Sequence, residues 1–167
     1  MEEAYDDLQK EIILRAKKKA LRLLEFSDRT EKELRDKLKE GEFPPFAVDE
    51  AIEYVRSYHY IDDARYAEHY LLARQNTKSL FEIRHGLSEK GVDSDIIEQT
   101  LINTEVDEKE TVKRLFLKKY GTKDLTDPKT FEKAIRYFSS HGFREPEIKA
   151  AVTEAVEEKE EELIKKA

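Results

Sequence analysis

The chain contains no cysteine, so histidine, aspartate and glutamate are left as its candidates for catalysis or metal binding. Its four histidines, His59, His69, His85 and His141, are scattered and fall in no HExxH or comparable ligand spacing. Asp62-Asp63 is a carboxylate pair that could meet a cation. The same pair also reads as a helix start, with Asp62 as N-cap and Asp63 as a first-turn acid where the helix dipole favours negative charge. There is no glycine-rich loop to cradle a phosphate and no serine motif of hydrolase type. The expectation is a protein without turnover, cofactor or metal.

Basic side chains offer a different chemistry, the capture of phosphate or of an acidic protein surface. Arg15, Lys18, Lys19 and Arg22 lie three and four residues apart, so a helix would present them on one side; the alternative is a solvated helix face. Arg74, Lys78, Arg84 and Lys90 fall on the last turn of one helix, a connection and the outer side of the next, along one flank of the middle of the chain. Tyr54, Tyr58, Tyr60, Tyr66 and Tyr70, interleaved with Arg56, Arg65 and Arg74, could stack bases or dock a protein. Equally, those rings could fill a joint between helices with only their hydroxyls exposed, and Tyr66, beside Ala67 and Tyr70, fits that description better.

Charge does not choose between these partners. The net charge is −7, which speaks against nucleic acid at first sight because phosphate binding draws on clustered Lys and Arg. The acids are concentrated at the ends, however. Residues 1–11 hold five acids and one Lys, residues 145–167 eight acids and four Lys, and the body between is close to neutral. Charged residues make up 41% of the chain, against about 25% in an average soluble protein, and only five glycines and four prolines interrupt it. That composition favours helices with large solvated faces. No apolar run approaches the ~20 residues a membrane span needs, and MEEAYDDLQKE lacks the basic-then-apolar order of a signal peptide. The chain is expected to stay in the cytoplasm.

The elements that must position these residues are helices. Leu8, Ile12, Ala16, Ala20 and Leu24 recur every four residues and predict one long helix from about Glu3 to Phe26, with the basic residues opposite. Thr30-Glu31-Lys32-Glu33 is a capping box that opens a second helix, ended by Gly41. Pro44 and Pro45 make a rigid connection to a third helix carrying Val48, Ile52 and Val55. The pattern then recurs. Counted from Leu38, Leu87 and Phe138, offsets −4, 0, +5, +10 and +14 are apolar in all three cases: Leu34, Leu38, Phe43, Val48, Ile52; Ile83, Leu87, Val92, Ile97, Leu101; Ala134, Phe138, Phe143, Ile148, Val152. Offset −8 gives Thr30, Ser79 and Thr130, hydroxyls near helix starts, and Ser79 with Glu82 makes a second capping box. Asp127-Pro128 and Glu145-Pro146 are further helix starts. The expectation is an all-α fold, an elongated curved array of three tandem three-helix repeats. Its divisions would be residues 1–59, including the long first helix, 60–106, and 107–167 with the acidic tail.

At Tyr60-Ile61-Asp62-Asp63, Arg65-Tyr66-Ala67, Arg74, Ile83, Leu87 and Lys90-Gly91-Val92 the chain resembles the RecX family, bacterial regulators of the RecA recombinase, and more loosely over about residues 15–156. It departs from the family pattern at His59 and Ser79, where glycine is usual, and at Gly86, where Glu is usual. The resemblance implies tandem three-helix units and a non-enzymatic protein of DNA repair and recombination. Such a protein would bind RecA and the RecA–single-stranded DNA filament along its groove and inhibit ATPase and strand exchange, acting as a monomer with DNA contact secondary. Arg15, Lys18, Lys19, Arg22, Arg74, Lys78, Arg84 and Lys90 would then face the filament or DNA phosphate. Asp62, Asp63, Tyr66, Ala67, Leu87 and Gly91 would hold the middle unit in shape. Other readings of the same pattern are a generic helical-repeat adaptor and a direct DNA-binding module.

Overall fold

The structure, a computed structural model, describes residues 2–167, and all of its regular elements there are α-helices. In chain order they are α1 (Glu2–Phe26), α2 (Glu31–Glu40), α3 (Pro45–Ser57), α4 (Asp63–Arg74), α5 (Leu80–Glu89), α6 (Ser94–Asn103), α7 (Glu108–Tyr120), α8 (Pro128–Ser140) and α9 (Glu145–Lys166). Their starts follow local chemistry. Both capping boxes are formed, Thr30 with Glu33 and Ser79 with Glu82, each hydroxyl accepting a backbone N–H while the carboxylate reaches back to the cap amide. Asp62, Asp107 and Asp127 accept the first free amides of α4, α7 and α8.

The chain divides into two compact units, residues 1–69 with 87–100, and residues 70–86 with 101–167. In the first, α1 packs chiefly on α3. Ala16 and Ala20 of α1 and Ala47 and Ala51 of α3 are all fully buried, and four such small residues at i, i+4 spacing bring two helix backbones close together. Leu34, Leu38, Val48, Ile52, Val55 and Ile61 complete that core. In the second, α7 packs chiefly on α9, and the larger Phe116, Phe138 and Phe143 gather against Ala151, Val152 and Ala155. Of the fifteen apolar positions predicted from the repeat, all are buried except Phe43, which is partly buried. Leu8 departs from the expected core stripe at 54% exposed, next to Tyr5 at 63%. The first half of α1 runs past the helices that cover its second half, so its apolar residues meet solvent.

The hydroxyls at offset −8 have a second task. Thr30 Oγ1 donates to the Lys90 carbonyl at 2.6 Å, and Ser79 Oγ to the His141 carbonyl at 2.6 Å. Lys90 and His141 occupy the same offset, +3, in their own repeats. The next residue in each is a glycine with left-handed backbone, Gly91 at φ 79° and Gly142 at φ 83°. A Cβ on Gly91 would strike the Lys32 side chain, and a Cβ on Gly142 would stand 2.6 Å from the Phe81 ring. Lys32 and Phe81 are equivalent too, at offset −6. Acids at the start of α4 and α7 add a third equivalent contact, Asp63 Oδ1 accepting from the Glu31 amide at 3.0 Å and Glu108 Oε1 from the Leu80 amide at 2.9 Å. In each unit, then, the start of one repeat's second helix is seated on the helix start and glycine turn of the next repeat. In the first repeat the +4 position is Glu42, left-handed at φ 60° without being glycine.

Gly86, where the family pattern has Glu, is explained by packing: the Tyr70 hydroxyl and ring occupy the space a Cβ would take. Replacing Gly91 or Gly142 with Ala forces both a left-handed Ala and an overlap, and each should cost about 1–3 kcal/mol. That corresponds to a loss of several degrees in melting temperature for a chain of this size. Gly41→Ala is the control, since Gly41 has φ −78° and its nearest neighbour stands 3.3 Å from a built Cβ. Thermal melts of the three variants should separate it from the other two; equal losses in all three would refute the junction account.

Candidate partner-binding surface

The basic residues singled out by spacing sit in two different electrostatic situations. On α1, burial of Ala16 and Ala20 turns Arg15, Lys18, Lys19 and Arg22 outward, and all four are exposed. No ion pair engages any of them among the described residues. Phe26, one turn beyond Arg22, is 82% exposed, so the cationic stripe ends in an open aromatic ring. Sequence reading passed over Phe26; its signal was the four-residue step from Lys18 and Arg22.

The other four are engaged or shared. Lys90 Nζ lies 2.7 Å from Glu33 Oε1, fastening the junction described above, and that hydrogen bond raises the Lys90 pKa above its ordinary value. Lys78 Nζ lies 3.2 Å from Glu82, the carboxylate of the second capping box. The Arg74 guanidinium stacks 3.8 Å above the Tyr70 ring. Arg74 and Lys78 adjoin, the Lys78 amide donating to the Arg74 carbonyl, and Arg84 is exposed on α5.

Among the residues expected to be structural, Ala67 and Leu87 are fully buried and Tyr66 is half-buried. Asp62 caps α4, and Asp63 accepts the Glu31 amide. Burial raises the Asp63 pKa, and its neighbours Glu31 and Asp62 add to the rise. His59, where the family pattern has glycine, is left-handed at φ 56°, and its carbonyl accepts from Arg65 Nη1 at 3.2 Å. The flanking rings of Tyr58 and Tyr60 stack at 5.7 Å and are about half exposed. Tyr54 packs against Tyr58 at 4.9 Å, with Lys17 over its face at 5.0 Å.

Most remaining charges build structure. Glu31 receives Arg56 Nη2 at 2.7 Å and Arg35 Nε at 3.1 Å, while those arginines also hold Glu53 and Asp49. Burial alone would push the Glu31 carboxyl up, but the hydrogen bonds from Arg56 and Arg35 outweigh it and hold its pKa below the usual value. Lys113, nearly enclosed, meets Glu158 at 3.0 Å, Glu110 at 3.1 Å and Glu154 at 3.2 Å, and these hydrogen bonds raise its pKa. Among the described residues no three His, Asp or Glu side chains are grouped to hold a metal ion, and no helix is long and apolar enough to cross a membrane.

Comparison with known proteins gives this arrangement its relatives. Residues 16–54 match the family model described as RecX, first three-helix domain, and residues 62–101 match RecX, second three-helix domain. The regulatory protein RecX of Clostridium acetobutylicum is 33% identical over 159 residues, covering 92% of this chain and 74% of that protein. The protein of the same name from Haemophilus influenzae (strain PittGG) is 36% identical over 129 residues, covering 75% and 85%. The crystal structure of RecX from Lactobacillus salivarius superposes with a TM-score of 0.76 at 27% identity, covering 87% of this chain and 97% of that one.

The Glu31 network predicts a pH dependence with a definite sign. Because its folded pKa lies below the ordinary 4.5, its contribution is fully present above that pH and is lost as the pH falls through the folded value. Glu31→Gln should therefore be less stable than the parent by about 0.5–1 kcal/mol at neutral pH, and the gap should close on acidification below 4.5. Thermal melts of both proteins from neutral to acid pH test this. A gap unchanged across that range would show that the Arg35 and Arg56 pairs contribute nothing.

Proposed function

The chain belongs to the RecX family, and on that footing we propose that it is a non-enzymatic inhibitor of the RecA recombinase. It binds RecA and the RecA–single-stranded DNA filament and damps ATP hydrolysis and strand exchange. Acting in the cytoplasm as a monomer, it spans neighbouring RecA protomers and resists the changes of spacing that hydrolysis and filament growth require.

The observation that carries the proposal is the stripe of four exposed, unpaired cations on α1. A cation already held by a carboxylate gains little by exchanging it for a partner's, whereas an unpaired one gains the whole of the new contact and releases counterions when it meets phosphate. Arg15, Lys18, Lys19 and Arg22 are therefore the primary contacts to acidic filament surface or DNA phosphate. Arg74, Lys78, Arg84 and Lys90 are secondary, because Lys78 and Lys90 would have to leave carboxylates that also cap helices. Phe26 at the end of the stripe favours some direct contact with single-stranded DNA, where a ring can stack on any base.

The test is RecA ATPase on single-stranded DNA, titrated with the parent protein and with R15E/K18E/K19E/R22E, alongside a mobility shift on bare DNA. The α1 variant should inhibit at least about tenfold less well and keep its melting temperature within about 2 °C, since exposed substitutions change stability by under about 0.5 kcal/mol each. R74E/K78E/R84E should lose less inhibition and more stability, through Tyr70 and Glu82. Undiminished inhibition by the α1 variant would rule out that face. Loss of bare-DNA binding with inhibition intact would make DNA the true ligand of the stripe.

A further inference from the structure

The two seated helix starts leave a third one open. In the first and second repeats, the beginning of the second helix is covered by the repeat that follows; in the third, the beginning of α8 makes no such contact among the described residues. The Thr130 hydroxyl, at the same offset as the donors Thr30 and Ser79, makes no such contact among the described residues and remains open to solvent. Beside it lies a groove of about 550 Å³ between the first turns of α8 and the outer half of α9, with Leu125, Pro128, Phe131 and Val156 along its floor. It continues past Val156 to Leu163, which is 62% exposed. The α9 wall of the groove is formed by residues 153, 156, 157 and 160, one helical stripe about 10 Å long, and the extension toward Leu163 is lined by Lys123 and Lys159 as well.

The rim of this groove is acidic. Glu132 projects from α8, and Glu157 and Glu160 from α9. All three are exposed and none is in an ion pair among the described residues. Their neighbours on α9 behave otherwise: Glu154 and Glu158 hold Lys113, and Glu161 and Glu162 reach Lys165 and Lys166. An apolar floor of about two helical turns between unpaired carboxylates fits an amphipathic helix with a basic border.

We propose that this groove is a docking site for a basic amphipathic helix of a partner protein. Helix α1 of a second copy does not supply such a helix. Beside the basic stripe of α1, Ala16 and Ala20 are already buried. The exposed apolar residues at its start, Tyr5 and Leu8, are flanked by Glu3, Asp6, Asp7 and Glu11, which the rim would repel. The site belongs to the other compact unit from the α1 stripe and takes a partner of opposite charge, so it stands independently of RecA inhibition.

The experiment measures fluorescence anisotropy of a labelled 18-residue synthetic helix, Leu at i, i+3, i+4 and i+7 and Lys elsewhere, titrated with the full chain. Binding should be saturable and weaken with salt. E132K/E157K/E160K should weaken it at least about tenfold. E50K/E68K/E105K, an equal charge change at exposed and unpaired acids elsewhere, should leave it within about twofold. Phe131→Ala should weaken binding with the rim intact. E157Q/E160Q, which keeps helix-forming residues on α9, serves if the triple reversal melts early, and should weaken binding about threefold or more. Equal losses in the groove and control variants would reduce the interaction to bulk acidity and overturn the proposal, as would undiminished binding by the groove variants. Sedimentation equilibrium showing self-association that E132K/E157K/E160K abolishes would replace the partner with a second copy and overturn it as well.

Discussion

Everything in this protein depends on a hydroxyl that bonds in two directions. Thr30 and Ser79 each accept an amide from their own helix and donate to a carbonyl 60 or 62 residues further along the chain. A hydroxyl has one proton and two lone pairs, so one buried side chain can start a helix and fix where the next repeat sits. The carbonyl is presented by a turn that must pass through the left-handed region, and the side chain two residues after the hydroxyl lies where that turn's Cβ would be. Cap, turn and glycine are therefore one constraint seen from three places, and none can change alone.

This constraint sets what was legible in the sequence. The apolar offsets, both capping boxes and the helix starts at Asp62 and Asp127 follow from local rules, because a helix start is decided within four residues. The long-range half of the same interaction was not legible: a hydroxyl at offset −8 reads as a cap, and nothing local says that its proton goes to Lys90 or His141. Gly86 was ambiguous for a similar reason, since the space it leaves is filled by Tyr70 from a different helix. Leu8 misled because periodicity reports which face of a helix is apolar and not whether a neighbour extends far enough to cover it.

For the candidate surface, sequence could place cations on one face of α1 but could not say which cations were free. Lys78 and Lys90 have the same side chain as Lys18 and Lys19 and differ only in having Glu82 and Glu33 within reach. The basic stripe of α1 and the acidic rim beside α9 are two sets of exposed side chains of opposite sign, neither held in an ion pair among the described residues.

That separation follows the contacts between successive repeats. Those contacts engage Thr30, Asp63, Ser79 and Glu108. Among the described residues the outer face of α1 and the start of α8 make no contact of that kind, so their charged groups stay available. On α1 the available groups are cationic and lie beside the buried Ala16 and Ala20, with Phe26 open at the end of the stripe, which suits a charged contact. Beside α9 they are anionic and flank an apolar groove, which suits insertion. The two surfaces are thus fitted to two different kinds of contact, and the difference lies in charge and in whether the apolar residues beside each charge are already covered.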